Sequence, residues 1–223
     1  MSNARGKRLL DVYHRLYAAY GPQHWWPGDS AFEIIAGAIL TQSAAWSNVE
    51  QALGKLKAAG ALSPEGIAGL PESELAHLVR PSGYYNAKAR KLKAFVRLLD
   101  RDFGGDLEAM LGSPIDELRE ALLSTHGIGP ETADSILLYA AGRPVFVIDA
   151  YTRRTFSRLG SAAERDTYEG WQRLFAESLP FSAPLFNEYH ALIVRHGKDV
   201  CRKRPLCGEC PLAASCPFAL AAA

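Results

Sequence analysis

Long apolar runs are missing from this chain. The longest, Ala31 to Leu40, is interrupted by Glu33 and is far too short to cross a bilayer, so no membrane partner is expected. The start, Met-Ser-Asn-Ala-Arg-Gly-Lys-Arg, is polar and carries no signal-like segment. A cytoplasmic location is the default, nucleoid-associated if the source is a bacterium. Strand signals are scarce too. The one β-branched and aromatic run is Val145 to Ile148, and four residues do not make a sheet, which leaves an all-α fold. Charge of one sign is also lacking: the net charge of +1 gives no global field, so any nucleic-acid binding must come from local basic patches. No repeat of the solenoid kind is visible. With 223 residues the chain can bury a substantial core as one or two domains.

Helical periodicity fills most of what remains. Leu9, Leu10, Val12, Tyr13, Leu16 and Tyr17 predict an opening helix that ends near Gly21. An aromatic loop, Gln23 to Asp29, follows, and Asp29 or Ser30 can cap a buried helix from Ala31 to about Leu40. Val49, Leu53 and Leu56 continue a helix to Gly60. Shorter helices are expected from Ser63 or Pro64 to Leu70, Pro71 to Val79, Asn86 to Phe103, Leu107 to Leu111 and Pro114 to Ser124. Beyond Asp149 a helix carries Tyr151, Arg153, Arg154 and Arg158. A loop with Glu164, Arg165 and Asp166 leads to helices at Tyr168 to Ser178 and Ala183 to Gly197, and Leu220 to Ala223 reads as a frayed end.

Two stretches carry chemistry. In the first, Gly127 and Gly129 make a turn, and Pro130 opens a helix whose apolar face includes Ala133, Ile136, Leu137 and Ala140. Bare backbone N–H groups at a helix start suit a phosphate, although plain packing of two helices would look the same locally. In the second, the cysteines lie as Cys201-x6-Cys207-x2-Cys210-x5-Cys216, with none left over. Inside a cell, such clustering argues for metal over disulfides, and four thiolates suit zinc or an iron–sulfur cube. Zinc sites usually contain two close pairs, and only one x2 spacing is present.

Gly127-Ile128-Gly129 and the segment Val145-Phe-Val-Ile-Asp149 resemble the helix-hairpin-helix and the aspartate-bearing segment of the endonuclease III (HhH-GPD) superfamily of DNA glycosylases. The cysteine spacing resembles that family's 4Fe-4S loop, and the resemblance runs from about Leu9 to Cys216. It implies a two-lobed all-α fold, with 31–142 holding the hairpin and 1–30 plus 143–223 carrying the cluster loop, and a lesion cleft between them. It implies Asp149 as the catalytic carboxylate, which also reads as a helix N-cap. Gln42 matches the gap-filling glutamine and Tyr84 the intercalating side chain; without the resemblance they read as a helix-end polar residue and a packing aromatic. The implied partner is double-stranded DNA containing a damaged base, bound by a monomer.

The departures from the family pattern concern substrate and mechanism. Glu131 stands where endonuclease III proper has its imine-forming lysine, so a monofunctional glycosylase using water is expected. Ala45 and Trp46 replace a family aspartate. Trp25, Trp26 and Trp46, three of the four tryptophans, can stack on a flat cationic base. With Glu131 they resemble the endonuclease III-like 3-methyladenine DNA glycosylases, which implies removal of 3-methyladenine or 7-methylguanine. The alternatives are a glycosylase/lyase for oxidised or deaminated pyrimidines and a lesion-binding protein without turnover. Tryptophans are also ordinary core residues. Arg80, Lys88, Arg90, Lys91, Arg153 and Arg154 are candidates for a DNA-facing rim, and Arg202, Lys203 and Arg204 for phosphate contacts. His126, His190, His196 and Lys198 are assigned no catalytic role.

Overall fold

A computed structural model describes residues 4–161 and 166–221, and every regular element among them is helical. In chain order these are α1 (Ala4–Tyr20), α2 (Ala31–Leu40), α3 (Trp46–Ala58), α4 (Pro64–Gly69), α5 (Glu72–Leu78), a 3-10 turn (Arg80–Ser82), α6 (Tyr85–Phe103), α7 (Leu107–Gly112) and α8 (Ile115–Leu123). Then come α9 (Pro130–Ser135), which runs on as a π-helical segment (Ile136–Ala140), α10 (Ala150–Arg158), α11 (Tyr168–Ala176), α12 (Ala183–Asp199) and α13 (Pro217–Ala221). Side-chain caps fix many starts: Ser30, Ser63, Asp106, Thr167 and Ser182 each accept from a backbone N–H three residues on. Buried Glu33 accepts from Asp29 N at 2.9 Å and pairs with Lys57 at 2.7 Å, so the start of α2 buries no lone charge.

The chain divides into two compact units, Trp26–Arg143 and Met1–Trp25 with Pro144–Ala223. In the first, α2 is buried along almost its whole length by Phe32, Ile35, Ile39 and Leu40 and packs against α3, α6 and α9 with its π-helical extension. The buried face of α6, Ala89, Leu92, Phe95, Val96 and Leu99, repeats at three and four residues, as its sequence period demands. In the second unit an aromatic core holds α10, α11 and α12 together. Phe146 stacks on Phe175 at 4.1 Å, Phe156 meets Phe175 edge-on at 4.8 Å, and buried Tyr189 donates to Leu9 O at 2.6 Å.

Val145 to Ile148 forms no strand, and the reason is visible. Gln172 Nε2 donates to Phe146 O at 2.9 Å and Ile148 N donates to Tyr168 Oη at 3.3 Å, so side chains of α11 satisfy backbone groups that a sheet would otherwise pair. The observed boundaries correct the sequence reading at the tail, where Leu220 belongs to α13 and not to a frayed end. Of the loop read around Glu164, Arg165 and Asp166, the first two lie outside the described residues, as do Ala222 and Ala223. Phe146→Ala is expected to cost about 3–5 kcal/mol, read as a lowered denaturant midpoint, because it empties the middle of the aromatic core.

Candidate functional site

The hairpin is built by its glycines. Gly127 takes φ +79°, open to glycine alone without strain, and a Cβ there would lie 2.5 Å from the Lys91 stem. Ile128 is buried as the anchor, and Gly129 caps α9 without a side-chain bond. Across the two helices of the hairpin, Arg119 grips buried Asp134 with Nε to Oδ1 at 2.7 Å and Nη2 to Oδ2 at 3.2 Å. Gln42, just past the end of α2, is fastened to this hairpin. Its Nε2 donates to Gly127 O at 3.1 Å and to Thr132 Oγ1 at 2.9 Å, while its Oε1 accepts from Lys91 Nζ. Glu131 sits exposed in the first turn of α9.

Backbone strain falls beside several of the candidate residues in sequence. Among the described residues, three that are not glycine take positive φ: His24 beside Trp25, Ser43 beside Gln42, and Tyr84 itself. For a tyrosine this is a true outlier, and the side chain it presents at the start of α6 is 75% exposed. Such strain persists only where the surroundings over-determine it.

The tryptophans separate into two kinds. Trp171 is buried, with Nε1 donating to Asp166 at 2.7 Å, and belongs to a core. Trp26 and Trp46 are half-buried and meet edge to face at 5.2 Å, and Tyr139 joins Trp26 at 5.3 Å. Gly37 of α2 makes room for this: a Cβ there would lie 3.0 Å from the Trp26 ring. Tyr139 escaped the sequence reading because the π-helical turn that delivers it has no periodicity signature. Trp25 is half-buried in the other unit.

Asp149 is the N-cap of α10. Its Oδ1 accepts from Thr152 N at 2.7 Å, and its Oδ2 lies 3.6 Å from Nε2 of His190 on α12, with both side chains nearly buried. Burial pushes the carboxyl up, yet His190 and the Thr152 N–H outweigh it and hold the group below the usual carboxylate range. His190 was read as structural from the sequence. Forty residues of intervening chain leave no spacing signal for the pair.

The four cysteines are free of disulfides, Cys201 and Cys216 buried and Cys207 and Cys210 half-buried. Two arginines of α10 pin their loop. Arg154 donates to Gly197 O at 2.7 Å and Cys201 O at 2.8 Å; Arg158 donates to Cys201 Sγ at 3.2 Å and Arg202 O at 2.7 Å. Burial pushes the Cys210 thiol up, and the other three cysteines push it further. Among the described residues no three His, Cys, Asp or Glu side chains surround a single-ion position.

The proposed basic rim needs correction. Lys88 is 1% exposed and donates to Leu40 O at 2.8 Å and Ser82 O at 2.5 Å, so it is an internal cation. Arg154 is committed to backbone carbonyls, and Arg153 lies 3.5 Å from Asp166. Arg80, over the Tyr85 ring, and Arg90 remain exposed.

Residues 36–181 match the family described as HhH-GPD superfamily base excision DNA repair protein. The chain belongs to this family. The HhH-GPD protein is 43% identical over 208 residues, 92% of its chain and 94% of the relative, to MJ1434 of Methanocaldococcus jannaschii, provisionally named a DNA repair glycosylase. It is 28% identical to endonuclease III of Sulfolobus acidocaldarius over 78% of its chain and 76% of the relative. Among solved structures it is similar to the H. pylori 3-methyladenine DNA glycosylase MagIII bound to 1,N6-ethenoadenine, with TM-score 0.75 at 30% identity, covering 87% of this chain and 97% of that one. A DNA-trapped endonuclease III shares the fold, with TM-score 0.84 at 20% identity over 97% of this chain and 98% of that one. No helix of the HhH-GPD protein is long and apolar enough to cross a membrane among the described residues.

A titration checks the Asp149 pair. The lowered carboxyl contributes stability above the unfolded pKa, and that stability is lost as pH falls through the lower folded pKa. His190→Ala is expected to raise the carboxyl, seen by carbon NMR of Asp149, and to move acid unfolding to higher pH.

Proposed function

We propose that this base excision repair DNA glycosylase hydrolyses alkylated purines, chiefly 3-methyladenine or 7-methylguanine, from duplex DNA and leaves the abasic strand uncut. The observation that carries the reading is the aromatic group of half-buried Trp26 and Trp46 with buried Tyr139. Methylation at a purine ring nitrogen makes the base cationic and its glycosidic bond weak, so an aromatic surface can select it with little help to the leaving group. Trp25 and exposed Glu131 are the further residues proposed to recognise it.

In this reading Gln42 and Tyr84 fill the space left by the flipped nucleotide, and the hairpin backbone at Gly127 and Gly129 takes a DNA phosphate. Asp149 supplies the chemistry. Its Oδ1 is committed to the cap of α10, which fixes the carboxylate plane, and its ionised state matches the positive charge that develops on the sugar as the bond breaks. The same carboxylate can take a proton from the attacking water. Glu131 has no amine, so the imine route to strand cleavage is closed at that position. The endonuclease III relatives favour a second reading, excision of oxidised or deaminated pyrimidines, and Glu131 weighs against its lyase step.

Cys201, Cys207, Cys210 and Cys216 fit a 4Fe-4S cluster. Four free thiols gather in a loop held by Arg154 and Arg158, and burial, with the other three cysteines, pushes the Cys210 thiol up, a penalty that binding to a cationic cluster core would relieve. When bound, the cluster would supply four iron–thiolate bonds that cross-link the tail. The purified protein is expected to contain iron and acid-labile sulfide in equal amounts; stoichiometric zinc in their place would overturn the assignment.

The decisive assay is release of free bases from methylated duplex DNA. Released methylpurine, with strand breaks only after alkali, is the expected result. Asp149→Asn should lower release by about 10²-fold or more while DNA affinity changes little. Equal release by variant and wild type would remove Asp149 from the mechanism, and release of pyrimidine lesions alone would select the second reading.

A further inference from the structure

The buried ammonium of Lys88 has an unusual position in the chain. It bonds the carbonyl of Leu40, two residues before Gln42, and the carbonyl of Ser82, two residues before Tyr84. One turn further along α6, Lys91 bonds the Gln42 side chain and lays its stem against Gly127. Both residues flanking these bonds on the site side, Ser43 and Tyr84, carry the strained positive φ.

We propose that Lys88 is a positioning residue for duplex opening: by tying the end of α2 to the Ser82–Tyr84 turn, it makes Gln42 and Tyr84 enter DNA as one rigid wedge. The inference rests on the assignment of these two side chains as the inserting residues, and is independent of which damaged base is removed.

The chemistry suits a clamp. The two bonds run from a charged donor to neutral carbonyls, and such bonds are about twice as strong as neutral ones. The Leu40 carbonyl belongs to the last turn of α2, where the intrahelical ladder runs out. Burial first, and then the Lys91 ammonium, bring Lys88 down to about 8. Other charged groups on the elements packed against α6 are Glu33 on α2, already paired with Lys57, Glu65 on α4, Glu72, Glu74 and His77 on α5, Arg80 on the 3-10 turn and Glu108 on α7. Of all these groups Lys91 is the one that bears on the Lys88 proton, and no carboxylate does. The clamp therefore loses its charge in mild alkali.

The sign of the linkage separates this from unfolding. A lysine whose folded pKa lies below its unfolded value binds more protons when unfolded, so its contribution to stability rises with pH between about 8 and its unfolded value of 10.5. Losing the proton weakens the wedge while the fold gains.

The probe is a duplex with a tetrahydrofuran abasic analogue and 2-aminopurine in the opposite strand, so that unstacking is read without any base being cleaved. For the wild type, the fluorescence signal is expected to fall about fivefold between about pH 7 and about pH 9.5 with a midpoint near 8, while affinity by anisotropy changes less than about twofold. Lys88→Met is expected to show the low signal at every pH. In addition, Gln42→Ala and Tyr84→Ala are expected to be non-additive at neutral pH and additive at alkaline pH. A flat wild-type profile overturns the proposal even if Lys88→Met cannot be purified folded. So does a folded Lys88→Met that unstacks like the wild type. Failure of methylpurine release with the pH-dependent signal intact would reject the substrate reading and leave the clamp standing.

Discussion

Each helix leaves its first N–H groups and last carbonyls without partners of its own, and satisfying these orphans organises the candidate site residues of this protein. Asp149 is held because it answers the orphan amide of Thr152 at the start of α10. Gln42 follows the end of α2, where Thr41 N bonds back to Gly37 O and the Leu40 carbonyl is taken by Lys88. Tyr84 is the left-handed N-cap of α6, Gly129 the cap of α9, Glu131 a first-turn residue and Trp46 the first residue of α3. A helix interior repeats; a helix end is unique in direction and in electrostatics, so it is the natural place for a specific contact.

This explains which parts of the molecule the sequence made legible. Helix existence followed from apolar spacing, and α2, α6 and α8 carry the expected buried faces because one stripe of side chains must meet the core. The hairpin, the cap aspartate and the cysteine loop are local patterns of glycine, carboxylate and thiol, so they were visible without coordinates. Partners distant in sequence were not. His190 meets Asp149 from another helix, and Lys88 on α6 reaches carbonyls on α2 and the 3-10 turn. A lysine on an amphipathic helix is a surface charge by default, and only the two carbonyls waiting inside reverse that expectation. The Val145 to Ile148 run, too short for a sheet, has α11 side chains as partners, which its own sequence could not show.

Stability is given up at several of these places. Positive φ at His24, Ser43 and Tyr84 costs of order 1–3 kcal/mol each, and the π-helical turn that brings Tyr139 to Trp26 departs from regular α-helix bonding. The aromatic core of one unit and the α2-centred core of the other supply the burial that offsets this. Tyr84 is 75% exposed, so packing of its own ring does not account for its strain, whereas the insertion into DNA proposed above would.

The cysteine tail extends the same reasoning to Asp149. Arg154 and Arg158, which hold the loop through Gly197, Cys201 and Arg202 carbonyls, belong to α10, the helix that Asp149 caps. Tyr151, two residues after Asp149, packs so closely on Gly197 that a Cβ there would lie 2.7 Å from its ring. Both ends of α10 are thereby fixed: its start by the capping carboxylate and the tyrosine against α12, its end by the cysteine loop. A carboxylate meant to stabilise transient charge must already be oriented when the charge appears, because reorientation would itself cost energy at that moment. In the proposed mechanism the tail would serve catalysis in this way, by keeping the helix behind Asp149 from turning.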